Sequence, residues 1–136
     1  MTNPDVKIFI DFFNNAAIKI REQKPHFIHG KDGKMVKLAL GKMTREQLEQ
    51  LAIWFLEEKR GLGPTIGAML SRSVLETLRA DMNRPGFWAE LDAIYNKYFP
   101  RPAYPKEFLA KFQPFTNKQI SEIQEEVIDA LRSKKR

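Results

Sequence analysis

The sequence predicts an all-α protein: a single-domain bundle of five or six helices, with a proline-rich connector leading to a C-terminal helix. Three observations carry this. Apolar residues recur at three- and four-residue spacing in segment after segment. The segments open on helix-capping residues and close on Gly or Pro breaks. No stretch shows the two-residue alternation of a half-buried strand.

The first helix starts at Asn3-Pro4-Asp5. Asn3 offers a side-chain acceptor, Pro4 lacks an N–H that the first turn could not use, and Asp5 puts a carboxylate at the positive helix end. Val6, Phe9, Phe13, Ala16 or Ala17, and Ile20 form its stripe. It should stop near Lys24, because Pro25 disfavours helix in the residue before it. Asp32-Gly33 reads as a turn, followed by a short helix with Met35, Leu38 and Ala39 on its apolar side. Thr44-Arg45-Glu46-Gln47 is a capping box that opens a third helix reaching about Arg60. Leu48, Leu51, Ala52 and Phe55 mark its stripe, and Ile53, Trp54 and Leu56 widen it, which places this helix at the centre of the core.

"RGLGPT" ends that helix. Thr65 caps a fourth, expected from Ile66 to about Met82, with Gly67 and Ala68 small enough for a close helix contact. Arg84-Pro85-Gly86 separates it from a fifth bearing Phe87, Trp88, Leu91, Ile94, Tyr95 and Tyr98. "FPRPAYP", Phe99 to Pro105, has three prolines in seven residues and reads as extended. A short helix is expected at Lys106–Phe112. A second capping box, Thr116-Asn117-Lys118-Gln119, opens the last helix, whose seam is Ile120, Ile123, Val127 and Leu131. The connector divides a core, 1–99, from a tail, 100–136. The tail should pack back, since Phe108, Phe112 and Phe115 would otherwise stand in water.

The chain holds no cysteine, which removes disulfides, thiolate metal sites and cysteine nucleophiles and suits a cytoplasmic location. No signal peptide is read at the N-terminus. The longest apolar run, Leu51 to Leu56, is far shorter than the ~20 residues of a membrane span. His26 and His29 read as surface histidines, because Pro25 and Gly30 oppose the helix that would bring both to one metal. Glu57-Glu58 and Glu125-Glu126 are neighbours on helices and point about 100° apart, so they read as solvated faces. Ser71 and Ser73 have no activating context. The sequence therefore predicts no enzyme, no cofactor, no metal and no small-molecule substrate.

Charge is the informative feature. Formal net charge is +6, and the segment Lys19 to Arg45 holds eight Lys or Arg against Glu22 and Asp32, which equals the whole excess. Concentrated positive charge is the footprint of a polyanion partner. The spacing of Gly30 and Gly33 does not fit a nucleotide-binding loop, which needs four residues between its glycines and Lys-Ser/Thr after them. Lys31, Lys34 and Lys37 at a helix start suit phosphates of a nucleic-acid backbone instead, with Lys42 and Arg45 beyond. Arg72 and Arg79, seven apart, share one helix face and are further candidates, though they can also pair with Glu76 and Asp81. The "GLGP" break between two helices loosely suggests a helix-turn-helix. A mix of aromatic and basic residues suited to stacking bases occurs at Tyr98, Arg101, Tyr104 and Lys106. A protein partner or a second copy, docking on the C-terminal seam or the proline segment, is the alternative class.

The pattern "NPDVKIFIDFF … HGKDGKMVKLALGKMTREQLEQLAIWFLEEK … TIGAMLS" resembles a small helical module of phage and mobile-element replication proteins, over about residues 3–75. The resemblance implies work on DNA in replication or a related process. Its matching positions are Lys31, Lys34 and Lys37, and Thr65, Ile66 and Gly67. In such proteins the module usually follows a winged-helix domain, and residues after about 75 have no counterpart in it. The resemblance therefore implies an accessory or adaptor role as readily as direct reading of DNA.

Overall fold

The computed structural model describes residues 4–25, 30–99 and 114–133, with no side-chain detail after residue 130. Within them the chain forms seven helices and no strand. They are α1 (Pro4–Arg21), α2 (Lys31–Leu40), α3 (Arg45–Glu58), α4 (Ile66–Met69), α5 (Arg72–Met82), α6 (Phe87–Tyr98) and α7 (Asn117–Ser133). No helix among the described residues is long and apolar enough to cross a membrane.

The expected centre is the observed one. Every residue of α3 from Gln47 to Leu56 is buried, and the helix packs on α1, α2 and α6. Phe9, Phe13, Ala16, Ala17 and Ile20 bring α1 to it, and Phe87, Leu91 and Tyr95 bring α6. Trp54 lies in this core with its indole N–H donating to Asp81 of α5 at 3.2 Å, which satisfies the buried polar handle. α7 packs on α2 and α5, burying Ile120, Ile123 and Val127. Phe115 is buried beside it and meets Trp88 edge-on at 4.8 Å. The expected short helix at 106–112, with Phe108 and Phe112, lies outside the described residues, as does the side chain of Leu131.

Both capping boxes form. Thr44 accepts from the Gln47 N–H at 3.1 Å while Gln47 Oε1 accepts from the Thr44 N–H at 3.0 Å. Thr116 and Gln119 do the same at 3.2 and 2.8 Å. The two boxes also meet: Gln119 Nε2 donates to Gln47 Oε1 at 3.0 Å and to the Lys42 carbonyl at 3.1 Å. One residue type, chosen for local capping, thus fixes where α7 begins against α3.

Five local expectations are corrected. α1 ends at Arg21, because Glu22 takes a left-handed conformation, φ 55°, that closes the helix three residues before Pro25. Asp32-Gly33 is no turn but lies in the first turn of α2. α2 is preceded by Gly30, whose φ of 83° suits a residue without Cβ. The α2 stripe is Val36 and Ala39, fully buried, with Met35 and Leu38 half-buried. The single helix expected over 66–82 is two, split because Ser71 is extended (φ −67°, ψ 153°) and donates its hydroxyl to the Ala68 carbonyl at 2.8 Å. Serine favours such a cap over a helix interior. The split leaves no continuous second helix behind the "GLGP" break. Gly67 makes no close helix contact either, since a Cβ built there meets nothing within 4 Å.

Candidate nucleic-acid interface

Tertiary structure sorts the eight cations of the basic segment. Two are used inside the molecule. Lys19 donates to the Tyr98 carbonyl at 3.3 Å and lies over the Phe99 ring. Arg21 caps the end of α3, donating to the carbonyls of Leu56 at 2.8 Å, Phe55 at 3.1 Å, Lys59 at 2.6 Å and Leu62.

Of the seven candidate residues, three are held by carboxylates. Lys42 lies 3.8 Å from Glu122 and 3.7 Å from Glu126 on α7. Arg45 stands among Asp5, Glu46 and Glu49 at 3.5–3.9 Å and is mostly covered. Arg79 pairs with Glu76 at 3.9 Å and donates to Gln124 at 3.4 Å. These contacts offset the charge of the three locally.

Lys31, Lys34, Lys37 and Arg72 remain. All four are exposed, and none has an ion pair among the described residues. Lys34 and Lys37, three apart on α2, share a helix face, and Lys31 lies one turn earlier. Lys31 and Arg72 line one groove between α2, α4–α5 and α7, of about 310 Å³, with Met35, Gly67, Leu70, Val127 and Ile128. Lys34 and Lys37 line a second, more open one of about 560 Å³ with Leu38, Gly41 and Ala130, where Lys42 and Glu126 also stand. α7 therefore lends one flank to each groove, through Glu126 and Ala130 on one side and Val127 and Ile128 on the other.

Sequence reasoning missed the groove residues Leu70, Ser71, Gln124, Val127 and Ile128. Its one available signal was Gly67, a glycine inside a helical pattern, which reads as a site of close approach and is instead a gap. The stacking platform at Tyr98, Arg101, Tyr104 and Lys106 lies mostly outside the described residues. Tyr98 donates its hydroxyl to Glu57 at 3.1 Å. His26 and His29 are also outside. Among the described residues no group of three His, Asp or Glu is placed to hold a metal ion.

A buried ionisable cluster lies elsewhere, at the start of α3. Burial pushes the Glu49 carboxyl up to about 7, with Glu46 and Asp5 adding to the rise and Arg45 and the Tyr95 hydroxyl opposing it. Tyr95 donates to Glu49 at 3.5 Å. Arg45 Nε, 3.9 Å from Glu49, makes no hydrogen bond to it, which is why the cation only partly offsets the burial.

No family model, curated protein or solved structure matches the chain.

Proposed function

We propose that this protein binds nucleic acid, DNA first, through the phosphate backbone, as a cytoplasmic accessory in replication of the phage or mobile-element kind, and that it acts by binding rather than by chemistry. The observation that carries the reading is the set of four exposed cations, Lys31, Lys34 and Lys37 on α2 and Arg72 on α5, that have no carboxylate partner among the described residues. Ammonium and guanidinium groups free of internal ion pairs are the ones that exchange counterions for phosphates. The resemblance of residues 3–75 to a replication module supports DNA over other polyanions.

The test is a titration with labelled duplex and single-stranded oligonucleotides at two salt concentrations. With up to four phosphates neutralised, log K should fall against log salt with a slope of about −3 to −4 on duplex. Reversing Lys31, Lys34 and Lys37 to glutamate should remove most of the affinity. Lys42→Ala should change it by less than about twofold, because that charge already faces two carboxylates. Unchanged binding by the triple variant in a low-salt gel shift would defeat the proposal.

The alternative, assembly through the seam of the last helix, meets a specific obstacle. Ile120, Ile123 and Val127 are buried against the chain's own α2 and α5. We therefore expect light scattering of the full chain to give the mass of one copy over a wide concentration range; a dimer mass would restore the assembly reading.

A further inference from the structure

The groove between α2, α4–α5 and α7 is a small cavity with an apolar floor and a cationic mouth. Met35, Leu70, Val127 and Ile128 supply the floor, Lys31 and Arg72 the charge. Its other polar groups are committed: the Ser71 hydroxyl donates to Ala68, and Gln124 is held by Glu76 and Arg79 at 3.1 and 3.4 Å. The two cations have no such partners among the described residues. Its volume, about 310 Å³, is at the lower end for small-molecule sites. At roughly 30 Å³ for each water-sized group, it holds about ten heavy atoms.

The geometry points to a ligand site here for a free medium-chain carboxylate, its alkyl chain on the apolar floor and its head group between Lys31 and Arg72. Charge complementarity selects the anion. The shortage of uncommitted hydrogen-bonding groups selects an alkyl body over a peptide backbone, which would need partners for its own N–H and C=O groups. The groove owes its open volume in part to Gly67, which has no side chain and where an added Cβ meets no neighbour. The site shares Lys31 and Arg72 with the proposed phosphate-binding set, but it needs neither Lys34 nor Lys37.

The probe is sodium octanoate, ten heavy atoms, titrated into the full chain and followed by NMR at the methyl groups of Met35, Leu70 and Val127. We expect saturable shifts with octanoate and none with octylammonium at the same concentrations. Gly67→Leu, which fills the space without touching a charge, should weaken octanoate at least tenfold. Arg72→Gln, an exposed substitution that leaves the core intact, should weaken octanoate severalfold. Shifts that never saturate, equal binding of octylammonium, or wild-type affinity in both variants would overturn the site. Displacement by a peptide ending in a free leucine carboxylate, at a tenth of the octanoate concentration, would overturn the small-molecule occupant in favour of a protein terminus.

Discussion

Replacing Arg21 by methionine should destabilise the fold by about 2–4 kcal/mol, read as a lower urea midpoint with an unchanged slope. The reason is a helix end without its own cation. The last turn of α3 contains no basic residue, although the partial negative charge of its carbonyls favours one there. Arg21, from the end of α1, supplies it across the fold. Its guanidinium donates to four carbonyls around that end and lies 5.3 Å from the Phe55 ring centre. Burial, and after it the charge of Arg60, hold the Arg21 guanidinium below the ordinary arginine range, with Glu57 opposing; it stays charged at neutral pH. Methionine keeps the apolar stem and removes the donors, so the measured loss reports the hydrogen bonds. Arg21→Lys should recover less than half, because a single ammonium cannot span four acceptors as the planar fork does. A loss below about 0.5 kcal/mol in the methionine variant would mean that water replaces Arg21 at little cost.

Glu49→Gln should make the protein more stable at pH 8 by about 2 kcal/mol, and leave it nearly unchanged at pH 4.5. The Glu49 carboxyl titrates at about 7 in the folded chain against 4.5 as its ordinary value. Below pH 4.5 it is protonated in both states and contributes no difference. Between 4.5 and 7 the folded chain holds the proton and the unfolded chain has released it, so stability falls as pH rises. Above 7 the cost of a buried carboxylate remains, about 3 kcal/mol with the pull of Arg45 already counted, of which glutamine, itself polar and buried, recovers about 2. Glutamine keeps the shape and an acceptor for Tyr95 without the titration. Every other ionisable group is the same in the variant, so the difference between the two pH curves isolates Glu49. Urea unfolding at pH 5, 6, 7 and 8 measures it, and parallel curves would show that water or Arg45 already neutralises the site.

These two effects mark where the sequence stops being legible. Arg21 and Glu49 look in sequence like surface charges, one in a basic run and one two residues past a capping box. Neither is. Arg21 is drawn inward by helix carbonyls more than thirty residues away in the chain, and Glu49 is covered because α1 and α6 close over the start of α3. Both facts arise from the meeting of elements, and no local pattern encodes them. At the candidate interface the same holds of Lys42, whereas Arg45–Glu49 and Arg79–Glu76 are pairs within one helical turn. Of seven cations singled out, Lys42, Arg45 and Arg79 face carboxylates on neighbouring turns or helices, and only the packing of α7 beside α2 decides that Lys42 meets Glu122 and Glu126. The groove beside Gly67 was illegible for a related reason: a gap is the absence of a side chain at a place that three separate segments surround.

By itself the sequence determined the helical class, the central position of α3, both capping boxes and the buried faces of α1 and α7. Each depends on spacing within a few residues, where helix geometry converts order along the chain directly into position on a face. Tertiary structure alone decided the joining of the two capping boxes through Gln47 and Gln119, the seating of Arg21 at the end of α3, and the pairing of Lys42 with α7. Those outcomes depend on distances between elements, and a hydrogen bond or ion pair forms or fails within an ångström or two that no periodicity fixes.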